Sequence, residues 1–198
     1  MPGVLGVLLA AGTGSRFDGR NKLLAPLDGD HVVRHSARAL LSAPVDDRIA
    51  VLGYEADRVA EALADLDVET VHNPDYAAGQ ATSVAVGARV AAERDATAAV
   101  FHLGDMPCVR PATIRALLDA ADGSDAGIVV PTFEGRRGNP VLFGAEHFDR
   151  LQDVSGDTGG RVLFERYPVE RVPVDDPGIH RDVDTEADLE ALRAACES

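Results

Sequence analysis

The only lysine of this 198-residue chain, Lys22, ends a glycine-rich stretch that reads Leu9-Ala10-Ala11-Gly12-Thr13-Gly14-Ser15-Arg16-Phe17-Asp18-Gly19-Arg20-Asn21-Lys22. Such a loop lets backbone N–H groups approach phosphate oxygens where side chains would block the way. Two common phosphate loops fit badly. The dinucleotide fingerprint needs a third glycine where Phe17 stands, and the P-loop spacing of Gly14 and Gly19 is followed by Arg20-Asn21 instead of Lys-Ser/Thr. What remains is a glycine loop bearing Arg16 and, six residues on, Lys22. Fixed cations over a triphosphate neutralise the charge that builds as pyrophosphate leaves. The alternative is a tight turn with solvated basic residues.

A second stretch is Leu103-Gly104-Asp105-Met106-Pro107. A carboxylate at the end of an apolar strand, followed by a proline that stops the strand, points into a site. Mg²⁺ wants hard oxygen ligands of this kind, one or two carboxylates plus phosphate oxygens. A third is Arg181-Asp182-Val183-Asp184-Thr185-Glu186. Alternation puts Asp182 and Asp184 on one side of an extended segment. The Asp184-Thr185 end is assigned to capping the last helix, with Glu186 and Asp188 in its first turn, and Asp182 is kept as a metal ligand. Arg136-Arg137-Gly138-Asn139-Pro140 and Ser155-Gly156-Asp157-Thr158-Gly159-Gly160-Arg161 are further loops able to gather an acceptor's phosphate or polar groups, or to serve as a solvated turn and a cap. Asn73-Pro74-Asp75-Tyr76, followed by Gly79 and the hydroxyls of Thr82 and Ser83, offers helix caps or contacts to base and ribose.

Short apolar runs alternating with helical patterns must position these loops, and that alternation is the mark of a βαβ architecture. Strands are expected at Val4–Ala10, Arg48–Leu52, Val68–His72, Ala98–Leu103, Gly127–Pro131, Pro140–Phe143 and Val169–Val174. Helices are expected near His31–Ser42, Ala56–Leu66, Ala81–Glu93, Pro111–Ala121, Gly159–Tyr167 and Thr185–Ala195. No repeat, low-complexity tract or linker interrupts them. The expectation is one doubly wound α/β domain over residues 1–198, with a mostly parallel sheet and its ligand at the strand-to-helix junctions.

Composition narrows the classes. Hydrophobic residues make up 45% and aromatics 5%, which suits an aliphatic core around a parallel sheet. No run approaches the roughly 18 apolar residues of a membrane span, and the apolar start at Val4 leads into the glycine loop as a strand, not a signal peptide. Cys108 and Cys196 form no metal pattern, and the six histidines show no metal spacing, so a reducing cytoplasm is expected. With 33 acidic against 19 basic side chains the net charge is −14. Such a surface repels nucleic acid and anionic membranes, and with a single lysine it suggests a halophilic protein whose self-repulsion is screened by salt, the alternative being a merely acidic mesophilic enzyme.

Together these stretches resemble the molybdenum cofactor cytidylyltransferase family, within the wider group of NTP transferases related to molybdopterin guanylyltransferase. LLAAGTGSRFDGRNKLL, HNPDYAAGQATSV, LGDMPCV, GRRGNPVLF, SGDTGGR and DVDTEADL occur in that family's order across nearly the whole chain. The resemblance implies a Rossmann-like nucleotidyltransferase fold and a Mg²⁺-dependent transfer of CMP from CTP to the phosphate of molybdopterin. It implies that Gly12, Arg16 and Lys22 hold the triphosphate, that Asp105 holds Mg²⁺, that Ser83 lies near the base, and that Asp182 lies near metal and acceptor. Ala10, Ala11, Gly14, Asn73 and Gly79 complete the implied nucleotide-binding set. Guanylyltransferase relatives tend to have glycine at the place of Ala11 and asparagines near Asp182 and Asp184, which favours CTP. The family's Met-Ser is replaced here by Gln80-Ala81, a departure that bears on base and acceptor choice. The implied partners are the NTP, a phosphorylated acceptor and, transiently, a client molybdoenzyme. Transfer to another phosphorylated acceptor, use of GTP, and a nucleotide-gated carrier without turnover are the alternatives.

Overall fold

A computed structural model describes residues 3–12, 17, 20–156 and 159–196, with the last helix's side chains described as far as Arg193. Its centre is an eight-stranded sheet. In chain order the strands are β1 (Val4–Ala10), β2 (Pro26–Leu27), β3 (Asp30–His31), β4 (Asp47–Leu52), β5 (Glu69–His72), β6 (Ala98–Leu103), β7 (Ile128–Phe133), β8 (Arg136–Arg137), β9 (Val141–Gly144) and β10 (Glu170–Pro173). The α-helices are α1 (Val32–Leu41), α2 (Ala56–Leu63), α3 (Gln80–Glu93), α4 (Pro111–Ala121), α5 (Phe148–Gln152) and α6 (Glu186–Cys196). Across the sheet the order is β10-β7-β9-β6-β1-β4-β5, with β8 paired to β7 and β2-β3 forming a separate small hairpin. All pairings along the main sheet are parallel except those of β9, which runs antiparallel to β6 and β7.

Alternation along β1 builds both cores. Leu5, Val7 and Leu9 face α3 and α5, while Leu8 and Ala10 face α1, α2 and α4. α3 comes so close to the sheet that a side chain at Gly87 would lie 2.7 Å from Val7 and 2.9 Å from Phe101. A third apolar cluster joins Phe17 and Leu27 to Val183, Leu189 and Leu192, clamping α6 against them. Arg20 pairs with Glu186 of the same helix. Among the described residues no helix is long and apolar enough to cross a membrane.

The expected strands and helices are present with small shifts at their ends, with one exception. Gly159–Glu165 winds as a 3-10 turn, not an α-helix. Two glycines open it, each costing an α-helix about 1 kcal/mol relative to alanine, and Gly159 has φ +53°. The β7–β8 hairpin closes through Glu134 (φ +51°) and Gly135 (φ +75°), the left-handed pair of a tight two-residue turn.

β6 also buries His102, which is 0% exposed and has no hydrogen-bond partner on either ring nitrogen. Burial pulls its pKa from 6.5 down to about 4, against the upward pull of Asp176. Between those values the unfolded chain binds a proton that the folded chain refuses, so stability falls as pH falls through the window. The loss is on the order of 3 kcal/mol. Relative to wild type, His102→Leu should therefore gain about that much unfolding free energy between pH 7 and pH 4, read from urea midpoints. A difference that stays constant with pH would mean that the imidazole takes up its proton as readily in the fold as in the unfolded chain.

Candidate active site

β1 and β6 lie side by side with Leu9 opposite Leu103, and the Gly104 N–H donates to the Leu9 carbonyl at 2.9 Å. Their ends therefore deliver Ala10-Ala11-Gly12 and Gly104-Asp105 to one place, at the carboxyl edge where α/β sheets hold ligands. Around Gly12 there is room: among the described residues an added side chain would meet nothing within 4 Å. The backbone of Ala11 is pinned by Tyr54, whose N–H donates to the Ala11 carbonyl at 3.2 Å. Gly53 lies so near that a side chain there would approach the Ala11 methyl at 2.8 Å.

Lys22 is brought in by a 3-10 turn over Lys22–Leu24. Asn21 fixes that turn, its side chain accepting from the Leu23 N–H at 3.1 Å and donating to the Tyr54 carbonyl at 3.4 Å. The lysine Nζ then reaches Asp105 Oδ2 at 2.6 Å and Asp184 Oδ1 at 2.7 Å. Side-chain exposure is 12% for Lys22, 19% for Asp105 and 31% for Asp184, so solvent screens this cluster little. Burial works against the Lys22 charge, but Asp105 and Asp184 outweigh it and hold its pKa above the usual lysine value. Burial, reinforced by the charge of Asp182, keeps the Asp105 carboxyl above its ordinary range despite Lys22. One ammonium thus faces two carboxylates, with the charge of Asp182 also acting on Asp105, and the place calls for further positive charge.

Asp184 reaches the site along a backbone that is itself tied to Asp105. The Val183 N–H donates to the Asp105 carbonyl at 2.9 Å, and Val183 is fully buried. That anchors Asp182 and Asp184 on either side of it, with Asp182 exposed. The capping expected of the Asp184-Thr185 end falls to Thr185. Asp188 accepts from the Thr185 N–H at 2.7 Å, and Thr185 Oγ1 accepts from the Asp188 N–H at 3.2 Å, so Thr185 caps α6. The Asp184 carboxylate goes to Lys22 instead, because a nearby buried ammonium binds it more strongly than a helix end does. Further back, buried Asp176 accepts from the Arg110 N–H, the Thr113 hydroxyl and the Gly178 N–H, tying this returning segment to the start of α4. Asn21, Asp176 and Asp184 were not singled out as site residues. The one local signal for each was an Asx residue at the head of a turn.

Among the described residues no group of three or more His, Cys, Asp or Glu side chains is gathered to hold a metal by itself. Mg²⁺ does not require one, since it takes one or two carboxylates and completes its shell with phosphate oxygens and water. Asp105 fits that role: its Oδ1 is buried and has no hydrogen-bond partner. Asp182 is the carboxylate beside it.

The other expected residues divide. Arg16 and Gly14 lie outside the described residues. Asn73 and Ser83 turn inward, 1% and 4% exposed. Asn73 Nδ2 donates to Ser83 Oγ and Thr82 Oγ1, both at 2.9 Å, and Asn73 Oδ1 accepts from the Asp75 N–H. These bonds support the loop that ends at Gly79, where Ser83 was expected to lie near the base. Gly79 has φ +114°, which favours glycine, and it leads into α3. Facing the cleft from there is Gln80.

A family model for the MobA-like NTP transferase domain matches residues 6–172. The nicotine blue oxidoreductase of Paenarthrobacter nicotinovorans is 31% identical over 194 residues, covering 93% of this chain and 94% of that one. A nucleotidyl transferase from Methanothermobacter thermautotroptrophicus superposes with a TM-score of 0.83 at 27% identity, over 98% and 97% of the two chains. Rv0371c of Mycobacterium tuberculosis, solved in complex with manganese, gives 0.79 at 30% identity over 98% and 99%. With Ala11-Gly12 and a strand-end aspartate paired to a lysine at the edge of such a sheet, the chain belongs to the MobA-like NTP transferase domain family and is a nucleotidyltransferase.

Proposed function

We propose that the chain transfers CMP from CTP to the terminal phosphate of molybdopterin, in its metal-carrying form, and releases pyrophosphate. A phosphate oxygen of the acceptor attacks the α-phosphorus as the bond to the β-phosphate's bridging oxygen breaks. Pyrophosphate leaves with that electron pair, and the product is a dinucleotide joined through a diphosphate. The observation that carries this reading is the Lys22–Asp105–Asp184 cluster beside the open Gly12 backbone. Transfer of this kind needs positioning and charge stabilisation more than proton removal. Gly12 admits the triphosphate close to the backbone, Lys22 gives it a fixed positive charge, and the Asn21-locked turn keeps that charge in place. Asp105, with Asp182, is the set that would hold Mg²⁺, and the ion when bound supplies positive charge to the phosphate under attack.

The test is pyrophosphate release with each NTP against molybdopterin and against sugar-phosphate and polyol-phosphate acceptors. CTP with molybdopterin should be the productive pair. Preference for GTP would overturn the base assignment, and saturable binding with no pyrophosphate would leave a carrier. Base choice is ascribed to Ala11, whose methyl is packed against Gly53. A single methyl discriminates by about 10- to 200-fold in a tight pocket, so Ala11→Gly should narrow the CTP:GTP ratio of kcat/KM by at least about tenfold. A ratio unchanged from wild type would place base selection elsewhere.

A further inference from the structure

The apolar stripe of α1 carries one residue that packing alone does not explain. Val33, Ala37 and Leu40 belong to the core at helical spacing, and among them Ser36 is 0% exposed. Alanine would fill that place and propagate a helix better, and a buried hydroxyl must find a partner. The Ser36 hydroxyl finds one 68 positions away, donating to the Gly104 carbonyl at 3.0 Å. That carbonyl lies past the end of β6 and beyond Phe101, the last residue of β6 that β9 pairs. The Gly104 N–H donates to the Leu9 carbonyl, and a side chain on Gly104 would stand 3.0 Å from the same oxygen. The exit of β6 is therefore held tightly to β1 on one side and to α1 on the other.

We propose that Ser36 is a positioning residue for Asp105, acting through the backbone to aim its carboxylate at a divalent cation. The inference rests on the reading that Asp105 holds that ion. A side chain leaves its Cα in a direction set by the two peptide planes that meet there, and each plane is rigid. The plane before Asp105 contains the Gly104 carbonyl, which Ser36 holds from α1. The plane after it contains the Asp105 carbonyl and the Met106 N–H. The first accepts from the Val183 N–H at 2.9 Å, and the second donates to the Leu103 carbonyl at 3.3 Å. With both planes fixed, Asp105 Oδ2 stays on Lys22 at 2.6 Å, while the buried Oδ1 keeps no hydrogen-bond partner among the described residues. Removing the Ser36 hydroxyl frees the first plane to rotate and carries Oδ1 off its place. Groups that orient a metal ligand from behind change metal affinity by about 10- to 100-fold when they are lost. Being fully buried, Ser36 reaches neither ion nor nucleotide itself.

The single lysine supplies a local probe of the site. In protein grown with isotope-labelled lysine, Lys22 gives the only labelled side-chain signals, and Mn²⁺ bound at Asp105 broadens them because its unpaired electrons speed the relaxation of nearby nuclei. Mn²⁺ is titrated without nucleotide while these signals are followed by NMR, and pyrophosphate release from CTP and molybdopterin is followed against the same metal. Ser36→Ala should raise the Mn²⁺ midpoint at least about tenfold in both. Turnover at saturating metal should stay within about threefold of wild type, because mass action refills a weakened site. Ser36→Thr keeps the hydroxyl and should keep the wild-type midpoint. Val33→Ala, one turn earlier on the same buried face, removes packing and no hydrogen bond. It should lower the melting temperature and leave the midpoint alone. A midpoint that is unchanged in Ser36→Ala, or raised as much by Val33→Ala or Ser36→Thr, would overturn the proposal. Asp105→Asn separates this from the reading beneath it. No broadening of Lys22 in wild type, or equal broadening in Asp105→Asn, would mean that Asp105 does not hold the ion, and both would fall. The NMR titration decides the matter whichever acceptor proves productive.

Discussion

Asp105→Asn should lower nucleotidyl transfer by a factor on the order of 10²–10³ and leave the protein folded. The substitution keeps the size of the side chain and removes one charge from the carboxyl edge of β6. Breaking a buried ion pair often costs about 3–5 kcal/mol because an uncompensated charge remains. Here that cost is avoided, since Lys22 Nζ keeps Asp184 at 2.7 Å. The charge removed is also one that burial opposes. Stability should therefore change little while catalysis changes greatly, and that contrast identifies a functional carboxylate. An amide oxygen at Oδ1 is a poor ligand for Mg²⁺ beside an anionic triphosphate, so the remaining activity should need a higher Mg²⁺ concentration. The measurement is turnover against Mg²⁺ concentration for both proteins, with thermal melts in parallel. Equal rates with equal metal dependence would remove Asp105 from the site.

Much of this arrangement is written in local sequence, and the rest depends on distant parts of the chain. β6 and α4 begin and end where expected because an apolar run and Pro111 at a helix start act on their own neighbours. The direction of β9 is different. An apolar run looks the same for a parallel or an antiparallel strand, and β9 lies antiparallel between two strands of the opposite sense. Asp105 stood out because it follows a strand and precedes a proline. The use of Asp184 was hidden because Asp-Thr before a helix is a strong local capping signal, whereas Lys22 lies 162 positions away. Asn73 and Ser83 were ambiguous for a related reason. A hydroxyl near a helix start serves a ligand or the fold equally well, and here Asn73, just after β5, donates to it. The Ser36–Gly104 bond joins α1 to the exit of β6 across 68 positions, a link that no spacing rule gives.

Lys22→Ala is expected to affect both function and stability. A charge-assisted hydrogen bond to phosphate contributes about 1.5–3 kcal/mol. Its loss should raise the KM for CTP by roughly 10- to 150-fold and lower kcat as well, since the developing charge on pyrophosphate loses a partner. The fold is affected in a second way, because Asp105 and Asp184 both rest on this ammonium, at 2.6 and 2.7 Å. Without it two partly buried carboxylates stand together near Asp182, and their repulsion should lower the melting temperature at neutral pH. Acid should narrow the gap. Carboxylates without a counter-charge have raised pKa values in the fold, so the penalty appears as pH rises through those values and vanishes below them. A divalent cation should narrow the gap too, because it supplies the charge that Lys22 no longer gives. Adding Mn²⁺ without nucleotide should raise the variant's melting temperature more than that of wild type. If CTP KM, kcat and melting temperature are all unchanged, Lys22 is neither a phosphate ligand nor the counter-charge of this cluster.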